Sequence, residues 1–324
     1  MDTQLSKKNF ILIIGLGNIG KRHLESLLKF RENKIFILEK SKKKIYTLKK
    51  KFKNKISYLH TLENFSKSLD LVIIATNSDV RHKILSRVIK KIKVKSILLE
   101  KVVFQKLIYF NYFIKVAKKK KIKIFVNCPR RLWKIFEIIK ENFNYKQGYL
   151  NITFKGNNWG LCSNAIHFID IWFFILSGRI SNIKFYPFLN KKILKSKRKN
   201  FFELKGKINF ESREGHTLSI EDSNKFKNNV MSIYFNNLKF KLLFKNNKFY
   251  LKKFINNHLL EKKYLRTPLQ SNLTSSFLNL LRARNYKRFT TINESFEHHK
   301  LLFKVFNEYF NKNNNLYYNI FPIT

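Results

Sequence analysis

A polar stripe on an otherwise apolar helical segment, residues 159–178, has the residue types needed for acid–base chemistry. Ser163, His167 and Asp170 are spaced i, i+4 and i+7, so a helix places them on one face, and Asn164 lies on the flank of that face. An imidazole with an ordinary pKa of about 6.5 can take or give a proton near neutral pH. Burial of such groups is unfavourable unless they are paired or face a polar cavity, so the stripe indicates a hydrogen-bonded core histidine or a site. The clustering of four polar groups favours the site.

The segment 10–20 has the pattern of a phosphate-binding loop. An unbroken apolar run, typical of a buried parallel strand, leads directly into Gly15, Gly17 and Gly20 at Gly-x-Gly-x-x-Gly spacing. In such a loop the first glycine permits a tight turn, the second lets a pyrophosphate approach the backbone, and the third lets the next helix pack closely. The N–H groups that open that helix then bind the anion. The predicted cofactor contacts are Gly15, Gly17, Asn18, Ile19 and Gly20.

Glu39 follows a second apolar run, 35–38, about 20 residues after the glycines. An acidic side chain at this point holds the ribose hydroxyls of adenosine in dinucleotide-binding domains. Its charge would repel the 2′-phosphate of NADP, which favours NAD, although Lys40, Lys42 and Lys43 lie close enough to offset that repulsion. We therefore predict a dinucleotide-binding domain with NAD as the cofactor and NADP as the alternative.

Five apolar runs alternate with helical patterns in the first part of the chain, which predicts a doubly wound parallel sheet with right-handed crossovers. The runs are 11–14, 35–38, 71–75, 96–99 and 122–126. Ligands of such sheets lie beyond the carboxyl ends of the strands, so the residues that follow each run are site candidates. They are Thr76 and Asn77 after the third run, Glu100 and Lys101 after the fourth, and Arg130 and Arg131 after the fifth.

Beyond about residue 130 the pattern changes to short strand-like runs with polar links, which predicts a mainly antiparallel sheet. These runs are 149–154, 201–210, 217–221, 230–235, 238–244 and 249–254, and helical patterns follow at 269–284 and 292–311. A chain of 324 residues is long for one core, which predicts two domains in an α/β protein. We place a Rossmann-type dinucleotide-binding domain at 1–128 and an α+β substrate domain with a mainly antiparallel sheet at 129–324.

The formal net charge of +47 directs attention to nucleic acid or an anionic membrane. The excess is mostly lysine, which binds phosphate less well in bidentate geometry than arginine does, and the lysines are spread along the whole chain. We therefore interpret the charge as compositional, on solvated surfaces, with no specific nucleic-acid partner. A polyanion-binding protein is the less favoured alternative.

Two isolated cysteines, Cys128 and Cys162, lack metal-ligand spacing, so we predict reduced, buried thiols and no metal site. The most apolar later segment, 165–176, is too short to span a bilayer and contains His167 and Asp170. No signal-peptide pattern precedes the first strand, which predicts a cytoplasmic protein.

With these motifs in this order, the chain resembles the glucose-fructose oxidoreductase / inositol dehydrogenase / MocA (Gfo/Idh/MocA) family of NAD(P)-dependent oxidoreductases. The resemblance covers essentially the whole chain. It rests on the glycine loop, Ala-Thr-Asn-Ser at 75–78, the Glu100-Lys101 pair, the helix with His167 and Asp170, and the segment that starts at Thr291. It implies that the second domain has an open-faced sheet and forms a homo-oligomer through that sheet.

The resemblance also implies catalytic roles. Alcohol oxidation requires removal of the hydroxyl proton as hydride leaves carbon, and reduction is the reverse. His167 is then the acid or base, the ammonium of Lys101 holds the substrate oxygen, and Asp170 orients the imidazole or binds a second hydroxyl. The nicotinamide carries the hydride. The chain departs from the family pattern twice: Val102 replaces the usual proline, and Ser163 stands where an aspartate often precedes the histidine by four residues.

The segments 127–131 and 164–170 resemble family members associated with bacterial surface-carbohydrate synthesis. That likeness implies a sugar or nucleotide-sugar substrate, with an arginine at a phosphate; the alternative for the arginines is a surface ion pair. The implied substrate contacts are Arg130, Arg131, Ser163 and Asn164. We expect an NAD(P)-dependent oxidoreductase that moves hydride to or from a hydroxyl or carbonyl of such a substrate. A non-catalytic dinucleotide-binding sensor or accessory protein is the alternative.

Overall fold

The computed structural model describes residues 8–52, 55–63, 65–146, 148–314 and 320–324. The chain forms two compact units. The first unit extends to Pro129 and takes in Leu269–Phe296 and Thr324, whereas the second contains Arg130–Pro268 and Glu297–Ile323.

The described strands are β1 (Asn9–Ile14), β2 (Asn33–Leu38), β3 (Ile56–Leu59), β4 (Leu69–Ile74), β5 (Val94–Leu99), β6 (Lys123–Val126), β7 (Asn151–Gly156), β8 (Lys184–Leu189), β9 (Leu194–Lys195), β10 (Phe202–Glu203), β11 (Gly206–Glu211), β12 (Thr217–Asp222), β13 (Asn229–Phe235), β14 (Leu238–Lys245), β15 (Lys248–Ile255), β16 (His258–Arg266) and β17 (Thr290–Thr291). The helices are α1 (Asn18–Leu27), α2 (Lys42–Phe52), α3 (Ser78–Lys91), α4 (Leu107–Lys119), α5 (Lys134–Asn142), α6 (Leu161–Ile175), α7 (Gln270–Arg282) and α8 (Ile292–Asn314). A short 3₁₀ turn covers Pro129–Leu132.

A seven-stranded sheet forms the centre of the first unit, in the order β17–β6–β5–β4–β1–β2–β3. Strands β1 to β6 pair in parallel, and β17 joins the edge antiparallel to β6. Successive residues Ile11, Leu12 and Ile13 of β1 are all completely buried, as expected for a parallel strand covered on both faces. The predicted parallel α/β architecture of the first domain is therefore confirmed. The sequence pattern missed β3, an edge strand with one fully buried position.

We predicted one domain boundary, after residue 128. In the structure, residues 269–296 also belong to the first unit. Helix α7 packs against α1, where the Ser26 and Ser275 hydroxyls are 2.6 Å apart. Strand β17 pairs with β6 through Thr290 opposite Val126. These contacts join segments far apart in sequence, so composition along the chain does not reveal them.

The second unit contains an eight-stranded sheet in the order β16–β15–β14–β13–β7–β12–β11–β8. All neighbouring strands are antiparallel except β7 and β12, so the predicted mainly antiparallel sheet is confirmed. Helix α6 is buried along most of its length, as its apolar sequence predicted.

Two details of the strand prediction are wrong in this unit. The single run 201–210 is divided into β10 and β11, with Gly206 at φ +130° where the second strand begins. Strands β8 and β16 were not predicted. Pro187 lies inside edge strand β8, and β16 alternates weakly because charged residues lie on both faces, so neither matches an ordinary half-buried strand. Among the described residues, none of the helices has both the length and the apolar character needed to cross a bilayer.

Candidate functional site

The register of the parallel sheet brings the predicted cofactor residues of the first unit to one edge. Ile14 pairs with Leu38 and with Ile74, and Ile74 in turn pairs with Leu99. The loops that follow β1, β2, β4 and β5 therefore leave the sheet side by side. These loops carry the glycines, Glu39, the Thr76-Asn77 pair and the Glu100-Lys101 pair.

The three loop glycines differ in what surrounds them. Gly15 has φ +89°, a conformation that L side chains rarely adopt, and a Cβ on Gly20 would collide with the Gly15 carbonyl oxygen. Around Gly17, by contrast, no atom of the described residues other than its two chain neighbours lies within 4 Å of the position that a Cβ would occupy. The first and third glycines are therefore required by the fold itself. The space above Gly17 is open.

Helix α1 begins directly after Gly17, and its first turn has no side-chain cap. The backbone N–H groups at the start of a helix lack partners within the helix and carry the positive end of its dipole. The open space over Gly17 lies beside these donors, at Asn18, Ile19 and Gly20. This arrangement fits the pyrophosphate of a dinucleotide.

Glu39 is held in place by the loop that it adjoins. Its carboxylate accepts hydrogen bonds from the N–H of Leu16 at 2.7 Å and of Ser41 at 3.0 Å, and Lys44 Nζ lies 3.7 Å away. Burial alone would raise the pKa of Glu39, but the backbone donors of Ser41 and Leu16 and the charge of Lys44 outweigh it and hold the pKa below its ordinary value. The side chain is therefore ionised at neutral pH beside the glycine loop. The nearest described lysine is Lys44, rather than the three lysines that the sequence suggested.

Arg81 ties together two of the strand-end loops, a role that sequence reasoning missed. Its buried guanidinium donates to the carbonyl of Thr76, to that of Val102, and to that of Val103 at 2.8 Å. Arginine suits this position because its planar fork reaches several acceptors at once. The sequence offers no clear signal, because the same helix also contains Arg87 and three lysines.

Lys101 follows β5 and is half-buried in the first unit. The peptide bond that joins it to Val102 is cis, at the position where the family pattern has proline. Val102 is completely buried, and its carbonyl is one of the acceptors of Arg81. The backbone that follows Lys101 is thus held in place by the hydrogen bond from Arg81 to the Val102 carbonyl.

Glu100 belongs to a buried hydrogen-bond network rather than to an open surface. Its Oε1 lies 2.9 Å from His23 Nε2 and 2.5 Å from Asn127 Nδ2. Burial would raise the pKa of Glu100, but the hydrogen bond and charge of His23 and the bond from Asn127 hold it below the ordinary value. Thr274 and Gln270 of α7 complete the network, with Thr274 Oγ1 2.8 Å from His23 Nδ1. The carboxylate of Glu100 is thus held by side chains on its own unit, and its contact with the cofactor stays a prediction.

In the second unit, carboxylates organise the start of α6. Glu203 accepts hydrogen bonds from the Cys162 N–H at 2.8 Å and the Ser163 hydroxyl at 2.5 Å. Asp222 accepts from the N–H of Gly160 at 3.0 Å, and Asn164 donates to the carbonyl of Trp159 at 2.6 Å. A carboxylate suits the positive end of a helix. Ser163 and Asn164 thus have structural contacts in addition to their predicted substrate roles.

Asp170 and Arg131, predicted for catalysis and for phosphate binding, form a buried ion pair with each other. Arg131 Nε donates to both carboxylate oxygens at 3.0 Å, and Nη2 lies 2.8 Å from Oδ1. Asp170 is completely buried and Arg131 is 2% exposed. His298 Nδ1 lies 3.5 Å from the same carboxylate. Burial and the charge of Arg131 hold the pKa of His298 well below its ordinary value, so this imidazole is neutral.

His167 lies between Ser163 and Asp170 on the stripe and is half-buried, whereas its chain neighbours Ile166 and Phe168 are completely buried. Arg130 is also half-buried, and its guanidinium lies 4.0 Å from the centre of the Phe168 ring. The stripe therefore has an accessible amino-terminal part and a buried end at Asp170. Besides Arg81, sequence reasoning missed His23 and Glu203, because their partners come from distant segments.

Comparison with known proteins agrees with this architecture. The family model for shikimate / quinate 5-dehydrogenase matches residues 2–103. No curated protein matches the sequence well enough to count as a relative. Several solved structures share the fold over nearly the whole chain.

A super-repressor mutant of Gal80p from Saccharomyces cerevisiae matches with a TM-score of 0.74 at 15% identity, covering 92% of this chain and 95% of that one. UDP-N-acetylglucosamine 3-dehydrogenase GnnA from Acidithiobacillus ferrooxidans matches with a TM-score of 0.69 at 11% identity, covering 92% and 96%. An oxidoreductase from Agrobacterium radiobacter in complex with NAD+, L-tartaric acid and magnesium matches with a TM-score of 0.69 at 13% identity, covering 96% and 98%. At this identity the likeness establishes the fold, which this chain shares with these oxidoreductases and with Gal80p, as the resemblance predicted.

Proposed function

We propose that this chain is an NAD(P)-dependent oxidoreductase that transfers hydride to or from a hydroxyl or carbonyl group of a sugar or nucleotide-sugar. The observation that carries the proposal is the open cradle over Gly17, with uncapped α1 donors on one side and ionised Glu39 anchored on the other. Two neighbours with the same fold support it: GnnA is named as a nucleotide-sugar dehydrogenase, and the Agrobacterium radiobacter oxidoreductase binds NAD+.

In this proposal the amides of Asn18, Ile19 and Gly20 hold the pyrophosphate, and Glu39 accepts hydrogen bonds from the adenosine ribose. The negative charge of Glu39 favours NAD over NADP. The loop that carries Thr76 and Asn77 adjoins the same cradle. When bound, the nicotinamide supplies the hydride acceptor or donor.

The residues that handle the proton and the oxygen are His167 and Lys101. An imidazole that is partly accessible can take the hydroxyl proton during oxidation and return it during reduction. The ammonium of Lys101 holds the substrate oxygen and stabilises its developing negative charge. Arg81 and Glu100 act beneath Lys101 as positioning residues, and the Arg131–Asp170 pair fixes the helix that carries His167.

Polar groups of the second unit support the proposed substrate class. Ser163 and Asn164, on the same helix as His167, and the guanidinium of Arg130, which lies against Phe168, present hydroxyl, amide and cationic groups at half-buried positions. Such groups hydrogen-bond sugar hydroxyls and phosphate oxygens. A nucleotide-sugar offers both.

The test is turnover of NAD+ and NADH with a panel of nucleotide-sugars and free sugars, followed by the absorbance of reduced nicotinamide. Lys101→Ala and His167→Ala are expected to lower kcat by about a hundredfold or more, because general acid–base groups contribute on that scale. The His167 variant should bind NADH like the unmodified protein. Lys93→Ala, at the opposite end of β5, and His258→Ala are matched controls at exposed positions and should turn over normally. Full activity in both site variants would refute the assignment.

A regulatory function is the second candidate, because the transcriptional regulator Gal80p has the same fold. In that case the cradle binds dinucleotide, and neither Lys101 nor His167 takes part in chemistry. Tight NADH binding without turnover on any substrate of the panel would favour this candidate. Failure to bind NAD(H) and NADP(H) would overturn both.

A further inference from the structure

One face of the hairpins β14–β16 gathers six cations into two rows. In the antiparallel register, Lys241 lies opposite Lys252, which lies opposite Lys262. The second row lies four residues from the first along each strand: Lys245 lies opposite Lys248, which lies opposite Arg266. We call the face that carries these six residues the cationic face.

Two turns set this register, together with a register shift between Lys253 and Phe254 in the pairing of β15 with β16. The two hairpins turn through Asn246-Asn247 and Asn256-Asn257, and all four asparagines have positive φ between 48° and 65°. Two-residue turns of this kind match the twist of antiparallel strands and set which residues face each other. On β14 the other face is apolar and buried, with Phe240 and Leu242 at 1% and 0% exposure. The cations therefore point away from the core, and all but the half-buried Lys252 are exposed.

An aromatic row runs between the two cation rows. Tyr250 lies directly opposite Tyr264, with ring centres 4.6 Å apart, and the Tyr264 side chain is 52% exposed. Lys248 Nζ lies 4.9 Å from the centre of the Tyr264 ring. Each cation row lies two residues from the aromatic row, or about 7 Å along the strands.

The charges of this face are not balanced by its own strands. Within β14–β16 the acidic side chain is Glu261, which lies opposite Lys253 on the other face and pairs with Lys263. Like charges directly opposite each other destabilise a sheet. An anion lying across the two rows would offset this repulsion.

We propose that the cationic face binds single-stranded nucleic acid without sequence preference. Two lines of phosphate-binding side chains flanking exposed aromatic rings match the way single strands are bound, with phosphates on cations and bases stacked on rings. A second copy of the chain fits poorly, because a two-fold contact through this face would bring the same cation rows together. Strands β7, β11 and β12, which together contain two lysines and three carboxylates, remain available for the oligomer that the family resemblance implies.

The test is fluorescence anisotropy of a labelled twenty-nucleotide oligothymidine with the full chain at rising salt. If the six cations each neutralise one phosphate, the logarithmic salt slope is about −4. Affinity then falls by about 300-fold between 50 and 200 mM salt. In Lys241→Gln/Lys252→Gln/Lys262→Gln the slope should fall to about −2. Tyr264→Leu should weaken binding about tenfold and leave the slope unchanged, because stacking carries no charge.

A charge-matched control carries Lys50→Gln, Lys90→Gln and Lys118→Gln, three exposed lysines on α2, α3 and α4 of the first unit. It has the same net charge as the triple variant and should bind like the unmodified protein. Equal losses in the two triple variants would show that binding follows net charge alone and would overturn the proposal. So would binding to phosphatidylserine vesicles but not to the oligonucleotide, tighter binding to duplex than to single strand, or a Tyr264 variant with unchanged affinity. Circular dichroism of each variant confirms that it is folded.

Discussion

The loops at the carboxyl edge of the first sheet and the polar stripe on helix α6 hold their chemical groups in different ways. At the sheet edge the backbone shapes the site: Gly15 turns the chain, Gly20 allows close packing, and Gly17 leaves open space. On α6 the side chains are set among other side chains. Ser163 meets Glu203, Asp170 meets Arg131, and His167 remains at a half-buried position between them.

The difference explains which local arrangements could be inferred from sequence. A strand-end loop is built from neighbours in sequence, so its role can be inferred from a motif. A polar residue on a buried helix takes its partner from anywhere in the unit. Asp170 was predicted on the stripe with His167, and its carboxylate pairs with an arginine 39 residues away, a partner that the stripe does not reveal. Its catalytic role stays a prediction.

The largest effect is expected from Asp170→Ala. The change leaves the Arg131 guanidinium buried without its carboxylate, which costs about 3–5 kcal/mol of unfolding free energy. Urea denaturation followed by tryptophan fluorescence and circular dichroism measures it. The double variant Asp170→Leu/Arg131→Met, which removes both charges, should recover most of the loss. A cost below about 1 kcal/mol for the single variant would mean that the pair is not a structural anchor.

A pair of glycine variants contrasts the two kinds of constraint within the first unit. Gly20→Ala places a methyl group against the Gly15 carbonyl and should cost about 1–3 kcal/mol of stability. Gly17→Ala meets no atom and should change stability by less than about 0.5 kcal/mol, yet it should weaken NADH binding at least tenfold by filling the pyrophosphate cradle. Thermal unfolding and NADH fluorescence titration separate the two results. Unchanged NADH affinity in the Gly17 variant would move the cofactor away from this loop.

The smallest effect concerns how two carboxylates, Glu100 of the first unit and Asp222 of the second, make the free energy of unfolding depend on pH. Glu100 has a lowered pKa, so its charge stabilises the fold above the unfolded value of 4.5, and this contribution is lost as the pH falls through the folded value. Burial raises the pKa of Asp222 above 3.8, so its ionisation opposes folding at high pH and this cost disappears as the pH falls.

Urea denaturation of Glu100→Gln and Asp222→Asn between pH 6 and 3 tests the signs. The stability advantage of the unmodified protein over Glu100→Gln should shrink as the pH falls, and that over Asp222→Asn should grow. Parallel pH curves for the two variants would contradict the opposite pKa shifts.

Local sequence determined a large part of this protein. The apolar strands, the glycine loop and the parallel sheet could be predicted, because buried parallel strands and phosphate loops have patterns that depend on adjacent residues. The start of α8 could be predicted for the same reason: Thr291 Oγ1 accepts from the Glu294 N–H at 3.2 Å, and the Glu294 carboxylate accepts from the Thr291 N–H at 2.8 Å.

Only the tertiary structure decided the partners of the polar groups. It placed Arg81 beneath the Lys101 loop, joined His23 to Glu100, paired Arg131 with Asp170, and returned residues 269–296 to the first unit. It also collected lysines that look evenly spread in the sequence into two rows, because cross-strand register is set by turns and pairing. Hydrogen bonds, ion pairs and register join residues distant along the chain, and no local pattern records which distant residue completes each contact.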